Sequence, residues 1–130
     1  MSHAEAFLPG HTTIMIHSPT PLRRAVFWLG VLTVVTLSLI PGDQLPSVFA
    51  WWDKAQHALG FALLTALGLL AYGRSRWYVP AGLLLLGALI EVAQAASGWR
   101  TGDWKDLLAD AIGILVAMLL WATTLGRNAA

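Results

Sequence analysis

The chain has 130 residues, of which 57% are apolar and only 12% charged, with a formal net charge of +1 and a mean hydropathy of +0.65. Soluble domains carry about 25% charged residues, so a chain this apolar would expose large greasy patches in water; a fully buried soluble helical bundle is the disfavoured alternative. The near-neutral balance offers no basic stripe for nucleic acid, and the absence of cysteine excludes disulfides and thiolate chemistry.

In chain order, residues 1–22 are polar, with His3, His11, His17, Pro9 and Pro19, and read as a flexible tail. Arg23 and Arg24 precede the first apolar run, 25–41. That run exceeds the 7–15-residue core of a secretory signal, and the weak cleavage candidate Val48-Phe49-Ala50 lies well beyond it, so an uncleaved signal-anchor is expected. A longer connection containing Pro46 follows. Three more apolar runs, 58–73, 78–96 and 107–125, complete a set of four, each close to the ~20 residues needed to cross a ~30 Å hydrocarbon core. The spans are placed at about 25–41, 55–73, 78–96 and 105–125, and the short end 127–130 closes the chain. The tight connections 72–77 and 97–103, broken by Gly73, Gly98 and Gly102, force antiparallel neighbours. The predicted fold is all-α: one polytopic membrane domain, 23–126, built as an antiparallel bundle of four transmembrane helices in a lipid bilayer.

Charge placement orients this bundle. Arg23, Arg24, Arg74, Arg76 and Arg127 fall on one side, and Lys54, Arg100 and Lys105 on the other. The positive-inside rule therefore puts both termini in the cytoplasm. Trp51, Trp52, Trp99 and Trp104 lie toward the outer end and Trp28, Trp77 and Trp121 toward the inner, as aromatic belts do. Six of the seven acidic residues, Asp43, Asp53, Glu91, Asp103, Asp106 and Asp110, gather near the outer loop ends. Charges that close to lipid are costly and point to function.

Helical spacing groups these residues by face. Asp53 and His57 share a face of the second span with Gly60, Phe61, Leu64 and Gly68. Glu91 and Gln94 share one on the third with Leu84, Gly87 and Gly98. Asp106 and Asp110 share one on the fourth with Gly113 and Ala117. Small residues on each stripe allow close helix approach. At 1.5 Å per residue, His57 lies ~6 Å deep, Glu91 and Asp110 ~9 Å and Asp106 ~3 Å. One shallow outer-leaflet layer is expected, rimmed by Lys54, Arg100 and Asp103, with the first span closing the bundle.

The run Asp53-Lys54-x-x-His57-x-x-x-Phe61, then Glu91-x-x-Gln94, then Arg100-Thr-Gly-Asp103-Trp-Lys-Asp106-Leu-Leu-Ala-Asp110-Ala-Ile-Gly113 resembles the VanZ-like family over roughly residues 41–121. The resemblance implies a bacterial membrane protein, so the membrane expected is a bacterial inner membrane, and a family whose namesake is linked to resistance to the glycopeptide teicoplanin. Asp110 stands where the family pattern leads one to expect asparagine, and it would repel Asp106 unless one of the two is protonated or paired.

Glu91, in a low-dielectric span, and His57 are candidate general acids or bases, with Asp106 beside them. Their alternatives are interhelical partners: Glu91 for Lys54, Arg100 or His57. Arg100 and Lys54 suit a phosphate or carboxylate, or pair with Asp103 and Asp53. Gln94 either binds a polar ligand or joins helices, and Asp103 and Asp110 complete the candidate ligand-binding set. His57, Glu91 and Asp106 could hold a divalent ion, but no compact ligand motif supports it, and no cofactor is expected. Neither a nucleophile elbow nor a phosphate loop occurs. Two function classes stay open: a membrane-embedded enzyme acting on an amphipathic envelope substrate, such as a lipid-linked phosphate or cell-wall precursor, and a non-catalytic accessory protein. No oligomeric state is assigned.

The arginine distribution makes the topology testable. A reporter active only in the periplasm and fused after Arg127 is expected to be silent; activity there rejects the orientation.

Overall fold

The computed structural model describes residues 21–44, 52–73 and 77–124. The expectations placed on residues 1–20, Pro46, Val48-Phe49-Ala50, Trp51, Arg74, Arg76 and Arg127 lie outside the described residues. Within them the chain forms four helices and no strand: α1 (Pro21–Leu39), α2 (Asp53–Tyr72), α3 (Tyr78–Ser97) and α4 (Trp104–Thr124), with one 3₁₀ turn over Gly42–Gln44. Each helix is long and apolar enough to cross a membrane. At 1.5 Å per residue they measure roughly 30 Å, the thickness of a bilayer's hydrocarbon core.

The helix ends follow from local chemistry. Pro21 opens α1, where its missing N–H removes nothing from the helix, and Pro41 lies just beyond the end at Leu39. Gly98 ends α3 in the left-handed conformation, φ 80°, which a side chain rarely tolerates.

α2 is the hub. It packs most intimately on α4 and also meets α1 and α3, while α1 and α4 scarcely touch. The buried face of α2 repeats with helical period through Phe61, Leu64, Thr65, Gly68 and Leu69. Around it gather Phe27 from α1, Val79, Leu83 and Ile90 from α3, and Ile114 from α4. The opposite faces are leucine-rich and exposed, among them Leu63, Leu85, Leu89, Leu115 and Leu119. In a bilayer those faces meet lipid tails as apolar as themselves, so helix association must come from close packing and interhelical hydrogen bonds.

Gly113 supplies that packing. A Cβ built there would run into the Ala58 backbone carbonyl, so α2 and α4 cross nearly backbone to backbone at this point. The third-span stripe differs from expectation. Its buried residues are Val79, Leu83, Gly87, Ile90 and Gln94, whereas Leu84 is 43% exposed and Gly98 lies past the helix end. Leu84 follows Leu83 by about 100° of helical rotation, enough to carry it off the inward face.

The crossing yields a prediction. Gly113→Val is expected to destabilise the bundle by about 1–3 kcal/mol or more through overpacking, read from detergent-micelle unfolding by circular dichroism. Gly82→Ala, where an added Cβ meets nothing within 4 Å, is the control and should unfold no earlier than the parent.

Candidate functional site

Four chain segments converge at one end of the bundle: the C-terminus of α1, the N-terminus of α2, the C-terminus of α3 and the N-terminus of α4. The connection from α3 to α4 is pinned before it reaches the charged residues. Ser97 Oγ donates to the Gln94 carbonyl at 2.7 Å and accepts from the backbone N–H groups of Trp99 and Arg100 at 3.4 and 3.3 Å. Three side chains then reach back to α1. Gln94 Nε2 donates to the Ser38 carbonyl at 2.9 Å, Trp99 Nε1 to that of Leu39 at 3.1 Å, and Arg100 Nε to that of Ile40 at 3.2 Å. The last carbonyls of a helix have no partner within it, so these donors close the end of α1.

Asp103 starts α4. Its Oδ1 accepts from the Lys105 backbone N–H at 3.0 Å, as an N-cap carboxylate does, and its carbonyl accepts from Asp106 N–H at 2.8 Å. Its own N–H donates to Glu91 Oε2 at 2.7 Å. Glu91 therefore supplies, from a neighbouring helix, the reciprocal half of a capping box at the N-terminal end of α4. The Lys105 N–H and then the Lys54 ammonium hold the Asp103 carboxyl below the usual aspartate range.

Lys54 Nζ bridges Asp103 Oδ2 at 3.1 Å and Asp106 Oδ1 at 2.8 Å. One turn deeper, His57 Nδ1 meets Asp110 Oδ1 at 3.0 Å. The spacing explains the ladder: 54 and 57 share one face of α2, and 103, 106 and 110 one face of α4. Asp106 and Asp110 are buried, at 4% and 0% exposure. Burial of that degree demands a partner, and each has one on α2. Asp110 Oδ2 and Glu91 Oε1 are buried with no hydrogen-bond partner among the described residues. An imidazole facing a carboxylate through Nδ1 presents Nε2 as its second functional atom.

Several expected pairings are corrected. Lys54 engages Asp103 and Asp106 rather than Asp53, because α4 presents two carboxylates to it across the helix contact. Arg100 donates to the Ile40 carbonyl, not to Asp103, since its segment runs along α1. Glu91 takes a backbone N–H as its hydrogen-bond partner rather than Lys54, Arg100 or His57. The condition set for Asp110 is met rather than corrected: His57 pairs it, so it does not face Asp106 without a partner. The structure thus joins Lys54, His57, Asp103, Asp106 and Asp110 in one ladder, ties Glu91 to it through Asp103, and turns Gln94 and Arg100 toward α1.

Two residues outside the expected ligand set matter. Asp53 and Gln56 join His57 and Arg100 in lining a crevice of about 510 Å³ between α1 and α2, whose apolar wall includes Val34, Leu37 and Phe61. Their signal was the i, i+3, i+4 spacing of 53, 56 and 57. Asp53, His57 and Asp106 also each place a ligand-type atom within 4.8 Å of the others. Glu91 is outside that group, and Lys54 already sets a positive charge on Asp106.

A family model described as VanZ/LLP1 matches residues 11–125, nearly the whole chain. No curated protein and no solved structure matches it.

The ladder predicts energetic coupling. His57→Ala strands the buried Asp110, so the double variant His57→Ala/Asp110→Ala should lose less stability than the two single variants together. The expected coupling is about 0.6–1.7 kcal/mol, the range for interhelical hydrogen bonds in membranes, measured by micelle unfolding. Strictly additive losses would remove the pair as a helix contact.

Proposed function

The chain belongs to the VanZ/LLP1 family and is a multi-pass membrane protein, and we propose that the polar end of its bundle binds an amphipathic, anionic envelope ligand from the outer leaflet. The observation that carries this reading is the α1/α2 crevice, which combines an apolar wall of Val34, Leu37 and Phe61 with a mouth of Asp53, His57 and Arg100. Its volume of about 510 Å³ falls within the ~300–1,000 Å³ of small-molecule sites. An acyl or prenyl tail fits the wall. Arg100 uses Nε on Ile40, and the rest of its guanidinium fork suits a phosphate or carboxylate. His57, backed by Asp110, has the arrangement of a base held by an orienting carboxylate. The outward orientation rests on the arginine distribution. A link to glycopeptide tolerance follows by family analogy, and the ligand class includes lipid-linked cell-wall precursors.

A second reading has its own support. Lys54, Glu91, Gln94 and Asp103 are all engaged in tying chain segments together. On that reading the protein is a non-catalytic accessory component, and the polar end is its framework.

Complementation separates the two. In a strain lacking the protein, His57→Gln, Arg100→Gln and Glu91→Gln are tested for glycopeptide and detergent sensitivity at matched membrane abundance. For a working site, His57→Gln and Arg100→Gln fail to complement although abundance is normal. If His57 moves a proton, the activity loss should reach ~10² to 10⁴-fold. Glu91→Gln, whose amide oxygen can still accept the Asp103 N–H, should retain more function than either. Full complementation by both His57→Gln and Arg100→Gln selects the accessory reading.

A further inference from the structure

The opposite end of the bundle carries a second crevice, of about 710 Å³, between the N-terminal half of α1 and α3. Its floor is apolar, with Phe27 and Val31 on one side and Leu83 and Leu86 on the other. Its mouth is polar in one sense only. Arg24 lies with its guanidinium carbon 5.5 Å from the centre of the Tyr72 ring. Trp28 Nε1 donates to the Tyr72 hydroxyl at 2.8 Å. A phenol that accepts from the indole keeps its own O–H to donate outward. Phe27 packs edge-on against both rings, at 5.3 and 5.6 Å between centroids, and holds them in place.

Charge decides what suits this mouth. Every acidic residue among the described ones, Asp43, Asp53, Glu91, Asp103, Asp106 and Asp110, lies at the other end of the helices. Arg23 and Arg24 form no ion pair among the described residues. The crevice therefore joins a guanidinium and a phenolic donor at headgroup level to an apolar slot running into the hydrocarbon depth. Basic pockets between transmembrane helices select anionic headgroups, and an apolar slot beneath one accommodates a chain. We infer that this crevice is a binding site for an anionic phospholipid, its phosphate on Arg24 and Tyr72 and one acyl chain along Phe27, Val31, Leu83 and Leu86. This site is independent of the ligand proposed for the polar end.

Gly82 provides the means of blocking it. It lines the crevice, and a Cβ there would meet nothing within 4 Å, so a side chain can start from this position without a clash, and Gly82→Phe directs an aromatic ring at the slot. The purified full-length protein in mild detergent is offered equal amounts of phosphatidylglycerol and phosphatidylcholine, and bound lipid is counted by native mass spectrometry. The parent is expected to retain phosphatidylglycerol over phosphatidylcholine by about fivefold, the factor one basic residue contributes at an anionic surface. In an Arg100→Gln background, which removes the anion-binding fork proposed at the polar end, Arg24→Gln should bring that ratio close to one, Arg24→Lys should preserve it, and Gly82→Phe should reduce retention of both lipids. Circular dichroism confirms that each variant is helical, and if Gly82→Phe is not, the exposed Arg24→Gln decides the matter alone. Equal retention of the two lipids by the parent overturns the assignment. So does an undiminished preference in Arg24→Gln on that background, or a dimer mass in place of bound lipid that Gly82→Phe abolishes.

Discussion

The close crossing of α2 and α4 is the constraint on which the rest depends. Lipid tails give apolar side chains no reason to leave them for one another, so these helices are held by contact geometry and by polar groups with nowhere else to go. Gly113 lets α4 reach the backbone of α2 at Ala58. Only at such a separation can the short side chains of Asp106 and Asp110 meet Lys54 and His57 at 2.8 and 3.0 Å. Gly87 works in the same direction from α3: a Cβ there would lie 2.6 Å from Asp110 Oδ2. The buried carboxylate thus sits in a space bounded by three helices and set by two glycines.

Glu91 changes meaning in this setting. As an acidic residue in an apolar span it invites a chemical role, yet one of its oxygens is committed to the first turn of α4. That bond ties the end of the α3–α4 connection back to α3. The same connection sends Trp99 and Arg100 to α1, the helix with no ionisable residue beyond its first turn. The side chains that hold α1 at this end thus come from elsewhere, and its contribution is backbone carbonyls.

Much of this was legible in the sequence. Long apolar runs with short glycine-broken connections determine the number and antiparallel order of the spans, and the spacings 53/57 and 106/110 group polar residues by helix face, although it is Lys54, next to Asp53, that joins His57 in meeting α4. The partners of Glu91 and Arg100 were not legible, because both are backbone atoms. A main-chain N–H at a helix start or a carbonyl at a helix end exists at every such terminus and leaves no mark in residue identity. Leu84 was misplaced for a related reason. Glu91 sits at the border of the inward face, so a stripe drawn through it drifts toward lipid, while Leu83, Gly87, Ile90 and Gln94 mark the true line.

The ladder between α2 and α4 also bears on how the protein enters the membrane. An aspartate within a transmembrane helix is penalised by up to ~3 kcal/mol on insertion, most at mid-bilayer and less near the ends. α4 carries two, and α2 brings the lysine and histidine that answer them. Synthesis separates these helices by the whole of α3. A nascent α2 must therefore stay beside the insertion machinery, its lysine and histidine unpaired, until α4 emerges, or α4 must tolerate its carboxylates without partners. The pair is thus divided in time by the making of α3, and loss of Lys54 or His57 would be felt first when α4 enters with carboxylates that have no partners.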